Sequence, residues 1–319
     1  MMLNKKPGLP QARVDKNAFR YRAFRDLMMN KYVYLMLVPV VAYYIIFLYL
    51  PIYGLQIAFK DYSVGLGMWA SEWVGFQHFA DFFNSYYFWR LLRNTLLLSS
   101  YELLFGFPAS ILLALLLNEL RSVMIRRTVQ TITYMPHFIS IVVISGIMVD
   151  FLSQDGLINN IIVWFGGEPI IFLMEAEWFR TVFVSSNIWQ NIGWGSIIYL
   201  SAMSGIDPAL YEASKVDGAS RFKQVFHITL PGIMPTIVIL LILQIGNFMM
   251  VGMEKILLLY NSTTYETADV IGTFVYRKGI LEANFSYSAA VGLFNSIINF
   301  TLLVVANAIS RKTSDNKLW

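Results

Sequence analysis

The chain has 319 residues, 57% of them hydrophobic and 14% charged, well below the charged fraction of about 25% in soluble domains, so a lipid bilayer is the first solvent to consider. Its 24 basic and 20 acidic residues leave a net charge of +4, which by itself says little; in a membrane protein the placement of basic residues is what informs. The absence of cysteine excludes disulfides, thiolate metal sites and cysteine nucleophiles, and the 3 histidines form no ligand-like pair.

A spanning helix needs about 20 mostly apolar residues, because backbone polar groups in hydrocarbon must be satisfied within the segment. Six windows qualify: 32–59, 91–118, 128–149, 181–206, 224–253 and 283–310. The first is far longer than the roughly 7–15 residues of a signal-peptide core and is expected to stay as an anchor. The second is interrupted by Glu102, and Pro108 predicts a kink. The expected architecture is an all-α membrane protein: a basic tail over 1–31, a six-helix domain over 32–310 and a short tail over 311–319. Basic residues crowd the first tail, the second loop (Arg121, Arg126, Arg127), the fourth loop (Lys215, Arg221, Lys223) and the final tail (Arg311, Lys312, Lys317). They outnumber Lys60, Arg90, Arg180, Lys255, Arg277 and Lys278 on the opposite face, which predicts cytoplasmic termini. Binding of the first tail to acidic lipid or to nucleic acid also fits its sign, but topology alone accounts for its sign and place.

Polar side chains inside spans are the candidates for a passage. In the fourth span Asn187, Asn191 and Trp194 follow i, i+4, i+7 spacing with Gln190 adjoining; Gln244 and Asn247 are three apart in the fifth, and Asn295 and Asn299 four apart in the sixth. Amides and aromatic faces suit a sugar, although the same residues also serve as hydrogen-bonding glue between packed helices. Glu102, ionisable within a span, is a functional candidate without an assigned partner.

Between the fourth and fifth spans the loop over 207–226 reads as a hairpin of two short helices. Asp207 is an N-cap with Pro208 at the first helical position, and Leu210, Ala213 and Val216 form one stripe. Gly218 offers the left-handed conformation that ends such a helix. Phe222, Val225 and Phe226 share a face of the second piece, and Pro231 is expected to interrupt before the fifth span. Asp217 fits a cap on the second helix and a contact with a partner equally well.

The Glu212-Ala213-Ser214 and Asp217-Gly218-Ala219 cores, followed in approximate register by Phe226, Ile228, Leu230 and Pro231, resemble the "EAA" loop of bacterial ABC importer permeases. That resemblance implies a coupling helix, with Tyr211, Glu212, Ala213, Ser214, Asp217, Gly218, Ala219 and Phe222 seated against a cytoplasmic ATPase subunit that binds ATP and Mg. Trp189-Gln190-Asn191-Ile192-Gly193-Trp194-Gly195 and Tyr265-Glu266-Thr267-Ala268-Asp269-Val270 are similar to permeases of the oligosaccharide branch of the carbohydrate importers. The resemblance implies a type I importer permease fold in the bacterial inner membrane, a second related permease forming a heterodimer, and an extracytoplasmic solute-binding protein. It also implies a sugar or oligosaccharide cargo moved by alternating access, with no nucleic-acid partner and no cofactor in this chain. An importer of another solute and an ion-coupled transporter are the rival readings. An enzyme is disfavoured: the chain contains no HExxH pair and no Gly-x-Ser-x-Gly elbow, and without a Gly-Lys dipeptide it lacks a Walker loop, so ATP hydrolysis is expected elsewhere.

Overall fold

The computed structural model describes residues 25–26 and 28–313, so most of the basic tail assigned to 1–31, and the last residues of the tail over 311–319, lie outside the described residues. The chain divides into two units, residues 1–56 and 57–319. The first carries most of a long apolar helix, α1 (Lys31–Phe59), in which no residue between Lys31 and Ile52 is buried.

The second unit is almost entirely helical; β1 (Lys60–Asp61) and β2 (Glu72–Trp73) pair antiparallel with Lys60 opposite Trp73. In order come α2 (Gln77–Phe83), α3 (Phe88–Glu119), α4 (Val123–Tyr134), α5 (Ile141–Leu152), α6 (Leu157–Trp164) and α7 (Ala176–Ser204). They are followed by α8 (Pro208–Val216), α9 (Arg221–Gly246), α10 (Met253–Leu259), α11 (Ile271–Tyr276) and α12 (Phe285–Thr313). Helix α3 is the spine. Its Leu91 packs with Phe82, Met249, Phe274 and Val291, its Leu98 with Phe179, Phe183, Ile256 and Leu259, and its Ala114 with Tyr199, Met203 and Ile233.

Among the described residues, five helical stretches are long and apolar enough to cross a membrane: Lys31–Phe59, Phe88–Glu119, Ile141–Trp164, Arg221–Gly246 and Phe285–Lys312. The expected fourth window appears as α7, 29 residues long but more polar than these five. The third window, 128–149, is not one helix. It breaks at the turn Met135–Phe138, where Pro136 lacks an N–H, and Ser140 starts α5 by accepting from the Val143 N–H at 3.4 Å. The fifth ends early at Gly246, because Asn299 accepts the Met249 N–H at 2.8 Å and Ser99 donates to the Phe248 carbonyl, drawing the apolar run out of the helix.

Pro136 breaks a helix and Pro39 and Pro235 sit within ordinary helix, but at three other prolines the helix widens instead. Wide turns at Tyr44–Tyr49, Glu102–Gly106 and Val225–Thr229 each have a proline two residues past them, Pro51, Pro108 and Pro231, whereas a fourth at Arg277–Leu281 has none. In each case the residue before the proline donates to the carbonyl five residues back: Leu50 to Ile45, Phe107 to Glu102, and Leu230 to Val225. An ordinary turn would press the proline ring on the carbonyl four residues back; one extra residue relieves the clash and keeps the helix continuous. Pro231 therefore does not interrupt the chain, and the expected second hairpin helix is the first turn of α9.

Candidate transport site

The wide turn in α3 places Glu102 toward α7, where the Asn187 amide donates to its carboxylate at 2.9 Å. The other end of the same amide accepts from Lys255 Nζ at 2.8 Å, and Lys255 reaches Gln190 Oε1 at 3.5 Å. Carboxylate and ammonium are thus held by one asparagine between them, which meets the requirement that buried charge be compensated. Lys255 is 1% exposed.

Two adjoining hollows of about 310 Å³ each share Glu102, Asn187, Asn191, Gln244 and Asn247; one adds Trp194, Gly106 and Ser110, the other Ser99, Gln190 and Lys255. The size falls in the range of ligand cavities, roughly 300–1,000 Å³. Asn191 bonds back to the Asn187 carbonyl at 3.1 Å and meets His137 Nδ1 at 3.0 Å, while the His137 ring stacks on Trp194 with centroids 4.6 Å apart. The close approach that frames this wall depends on glycine. A Cβ at Gly193 would lie 2.1 Å from the Thr133 carbonyl oxygen, and one at Gly195 would lie 2.5 Å from Ser110 Oγ.

The cavity brings together Asn187, Gln190, Asn191, Trp194, Gln244 and Asn247. Asn295 and Asn299 are not part of it. They grip both sides of the Met249 peptide, Asn299 accepting from its N–H and Asn295 donating to its carbonyl at 3.4 Å, so their work is to hold the turn before α10. Sequence reasoning placed Lys255 in an outer loop and left Glu102 unassigned. The spacing of Glu102 and Lys255 carries no signal for their meeting, which depends on the chain folding back after α9.

The residues after Thr264 anchor the start of α3. Asp269, fully buried, accepts from Arg90 at 3.2 Å, Arg277 at 2.7 Å and Thr273 at 2.8 Å. Asn94 donates to the Glu266 and Asp269 carbonyls and accepts from Arg180, and Arg93 pairs with Glu266 at 2.6 Å. Burial works against the charge of Arg277, but Asp269 outweighs it and raises the guanidinium above its ordinary value.

The loop over 207–226 is ordered as expected at its first helix. Asp207 accepts from the Ala209 N–H at 2.9 Å, and α8 ends with Gly218 at φ 74°, the Ala219 N–H returning to the Ser214 carbonyl at 2.9 Å and that of Gly218 to Lys215 at 3.1 Å. Such paired bonds close a helix only where a left-handed residue follows it. Ser220, not Asp217, caps the next helix, accepting from Lys223 at 3.4 Å. Tyr211 and Ser214 face inward: Tyr211 meets the Thr229 hydroxyl at 2.9 Å and Ser214 accepts from Gln224 at 2.9 Å, while Arg221 pairs with Glu119 at the end of α3 at 3.2 Å. Leu210, Val216, Phe222 and Phe226 stand exposed beside Glu212, Ala213 and Asp217.

Residues 106–315 match the family described as binding-protein-dependent transport system inner membrane component. The chain is 48% identical over 294 residues to "Protein LplB" of Bacillus subtilis (strain 168), covering 92% of each. It is 45% identical over 307 residues to the "Polygalacturonan/rhamnogalacturonan transport system permease protein YteP" of the same organism, covering 96% of each. Among solved structures, a chain of the bacterial alginate ABC transporter in complex with alginate pentasaccharide-bound periplasmic protein superposes with a TM-score of 0.87 at 46% identity, covering 93% of this chain and 100% of that one. The all-α importer fold and the multi-pass inner-membrane character expected from the sequence follow from these likenesses. The chain belongs to the binding-protein-dependent transport system inner membrane components, the permease subunits of ABC importers.

Proposed function

We propose that this chain forms one half of the membrane passage of an ATP-driven importer of sugar oligomers, paired with a related second permease and supplied by an extracytoplasmic binding protein. The observation that carries this reading is the cavity among α3, α7 and α9, lined by the amides of Asn187, Asn191, Gln244 and Asn247 with the Trp194 ring beside them. Amides hydrogen-bond sugar hydroxyls in both senses and an aromatic ring covers their apolar faces. The saccharides named for the relatives above support the same cargo class.

The exposed apolar residues of the hairpin, Leu210, Val216 and Phe222, fit a groove on a cytoplasmic ATPase, with Glu212 and Asp217 offering charge at its edge. ATP and Mg belong to that partner, and the concentration of basic residues around α4 and the hairpin supports cytoplasmic termini. In this arrangement nucleotide-driven closure moves the hairpin, and α9 carries the motion to Gln244 in the cavity wall. An ion-coupled mechanism loses its footing in a chain of this family, because the buried charges Glu102 and Lys255 are accounted for by Asn187 between them.

Reconstitution of the chain with its paired permease, ATPase and binding protein in liposomes tests the reading. ATP-dependent accumulation of an oligosaccharide is expected, lost when ATP is replaced by a non-hydrolysable analogue. Uptake that continues without the ATPase overturns it.

A further inference from the structure

Lys255 is buried to 1% exposure, yet it lines the same hollow as Glu102. Among the described residues the two charges make no direct ion pair, and the Asn187 amide stands between them at 2.9 Å and 2.8 Å. An ammonium has three donors. Lys255 directs one to Asn187, and its contact with Gln190 lies at 3.5 Å, the limit for a hydrogen bond, so the cation holds capacity for a further acceptor. It is a fixed cation rather than a snorkelling one. Ile256 and Leu259 of the same short helix are buried against Leu98, Phe179 and Phe183, and the turn before it is pinned at Met249 by Asn295 and Asn299.

A neutral sugar has no need of such a group, because Asn191, Gln244 and Asn247 already supply neutral donors and acceptors for hydroxyls. A sugar acid does: a carboxylate leaving water is best met by a charged donor. We infer that Lys255 reads the carboxylate of an acidic sugar unit in this cavity while Glu102, across the Asn187 amide from it, takes hydroxyls, so that the cargo is an oligosaccharide bearing uronic acids. The inference rests on the reading of the chain as a sugar-oligomer permease and narrows its cargo. Glu102 gives the site polarity as well, repelling a carboxylate and leaving Lys255 as its favourable contact. Of the solved relatives, one imports what is described as the acidic polysaccharide alginate.

The test compares equilibrium binding of trigalacturonate and of its carboxyl-reduced, neutral counterpart to the transporter assembled in lipid nanodiscs. Wild type is expected to bind the acid at least about ten-fold more tightly than the neutral sugar. Lys255→Gln brings the acid-to-neutral affinity ratio to about one, and Lys255→Arg keeps most of the preference. A preference that survives in Lys255→Gln, or is absent from wild type, overturns the assignment. So does loss of both sugars in Lys255→Gln with both retained in Lys255→Arg, which marks a structural role. ATP-driven oligosaccharide uptake by the same preparation separates the two levels: uptake without charge preference removes only the role of Lys255, whereas no uptake of any saccharide removes the transport reading and this inference with it.

Discussion

A methyl group at Gly193 would penetrate the Thr133 carbonyl, whereas one at Gly292 would meet nothing within 4 Å. Gly193→Ala therefore forces α4 and α7 apart at the wall that carries Trp194, and overpacking of this kind costs about 1–3 kcal/mol. The expected outcome is a lower melting temperature of the detergent-solubilised protein, with Gly292→Ala close to wild type as the control. The amides of α7 and α9 were legible as a group because helical spacing alone puts them on shared faces. Asn295 and Asn299 obey the same spacing but hold Met249, since a polar pair on a helix face reports that something polar lies opposite without saying whether it is a solute or a peptide group. Lys255 was illegible for the converse reason: its burial comes from the way a loop returns through the interior, which no local pattern records.

At the scale of elements, the residues that end helices were read correctly when the signal was local, as with the Asp207 cap and the Gly218 turn, and misread when helix geometry adapted, as at Pro231. The left-handed backbone at Gly218 disfavours a side chain by roughly 1–2 kcal/mol, and a β-branched one most. Gly218→Val is expected to reduce co-purification of the ATPase while leaving the chain in the membrane, with Gly218→Asn retaining most of it; normal co-purification and uptake in the valine variant would count against the hairpin as the docking element. The Val225–Thr229 turn yields a second expectation. Pro231→Ala restores the missing N–H, removes the reason for the extra residue, and lets the turn tighten to an ordinary α-helix, rotating the Arg221–Gln224 turn relative to the rest of α9. ATP hydrolysis by the assembled transporter should persist while the number of ATP consumed per oligosaccharide imported rises, a ratio measurable in the same liposomes.

Over the whole molecule, the fold class was legible because long apolar runs leave helices as the only economical answer in lipid, whereas the third window failed on Pro136. The basic residues that run against the charge asymmetry also find an explanation. Arg90 and Arg277 pair with the buried Asp269, and Lys278 with the partly exposed Glu282, so their charges are taken up within the chain. Removing the carboxylate charge with Asp269→Asn leaves two guanidinium groups facing a neutral amide in a buried site, and breaking such a cluster costs on the order of 3–5 kcal/mol. The expected outcome is loss of folded protein on extraction, measured by thermal melting, with Glu266→Gln milder because its pair with Arg93 is largely exposed.

Helix α9 joins Arg221 to Gly246 through 26 residues without a gap, about 39 Å at 1.5 Å per residue. Such a rod behaves as an oar: a tilt of about 10° about one end sweeps the other by roughly 7 Å, comparable with the width of a single pyranose ring. Gln244 rides near the far blade. A small stroke on the hairpin is thereby geared into an opening of sugar size.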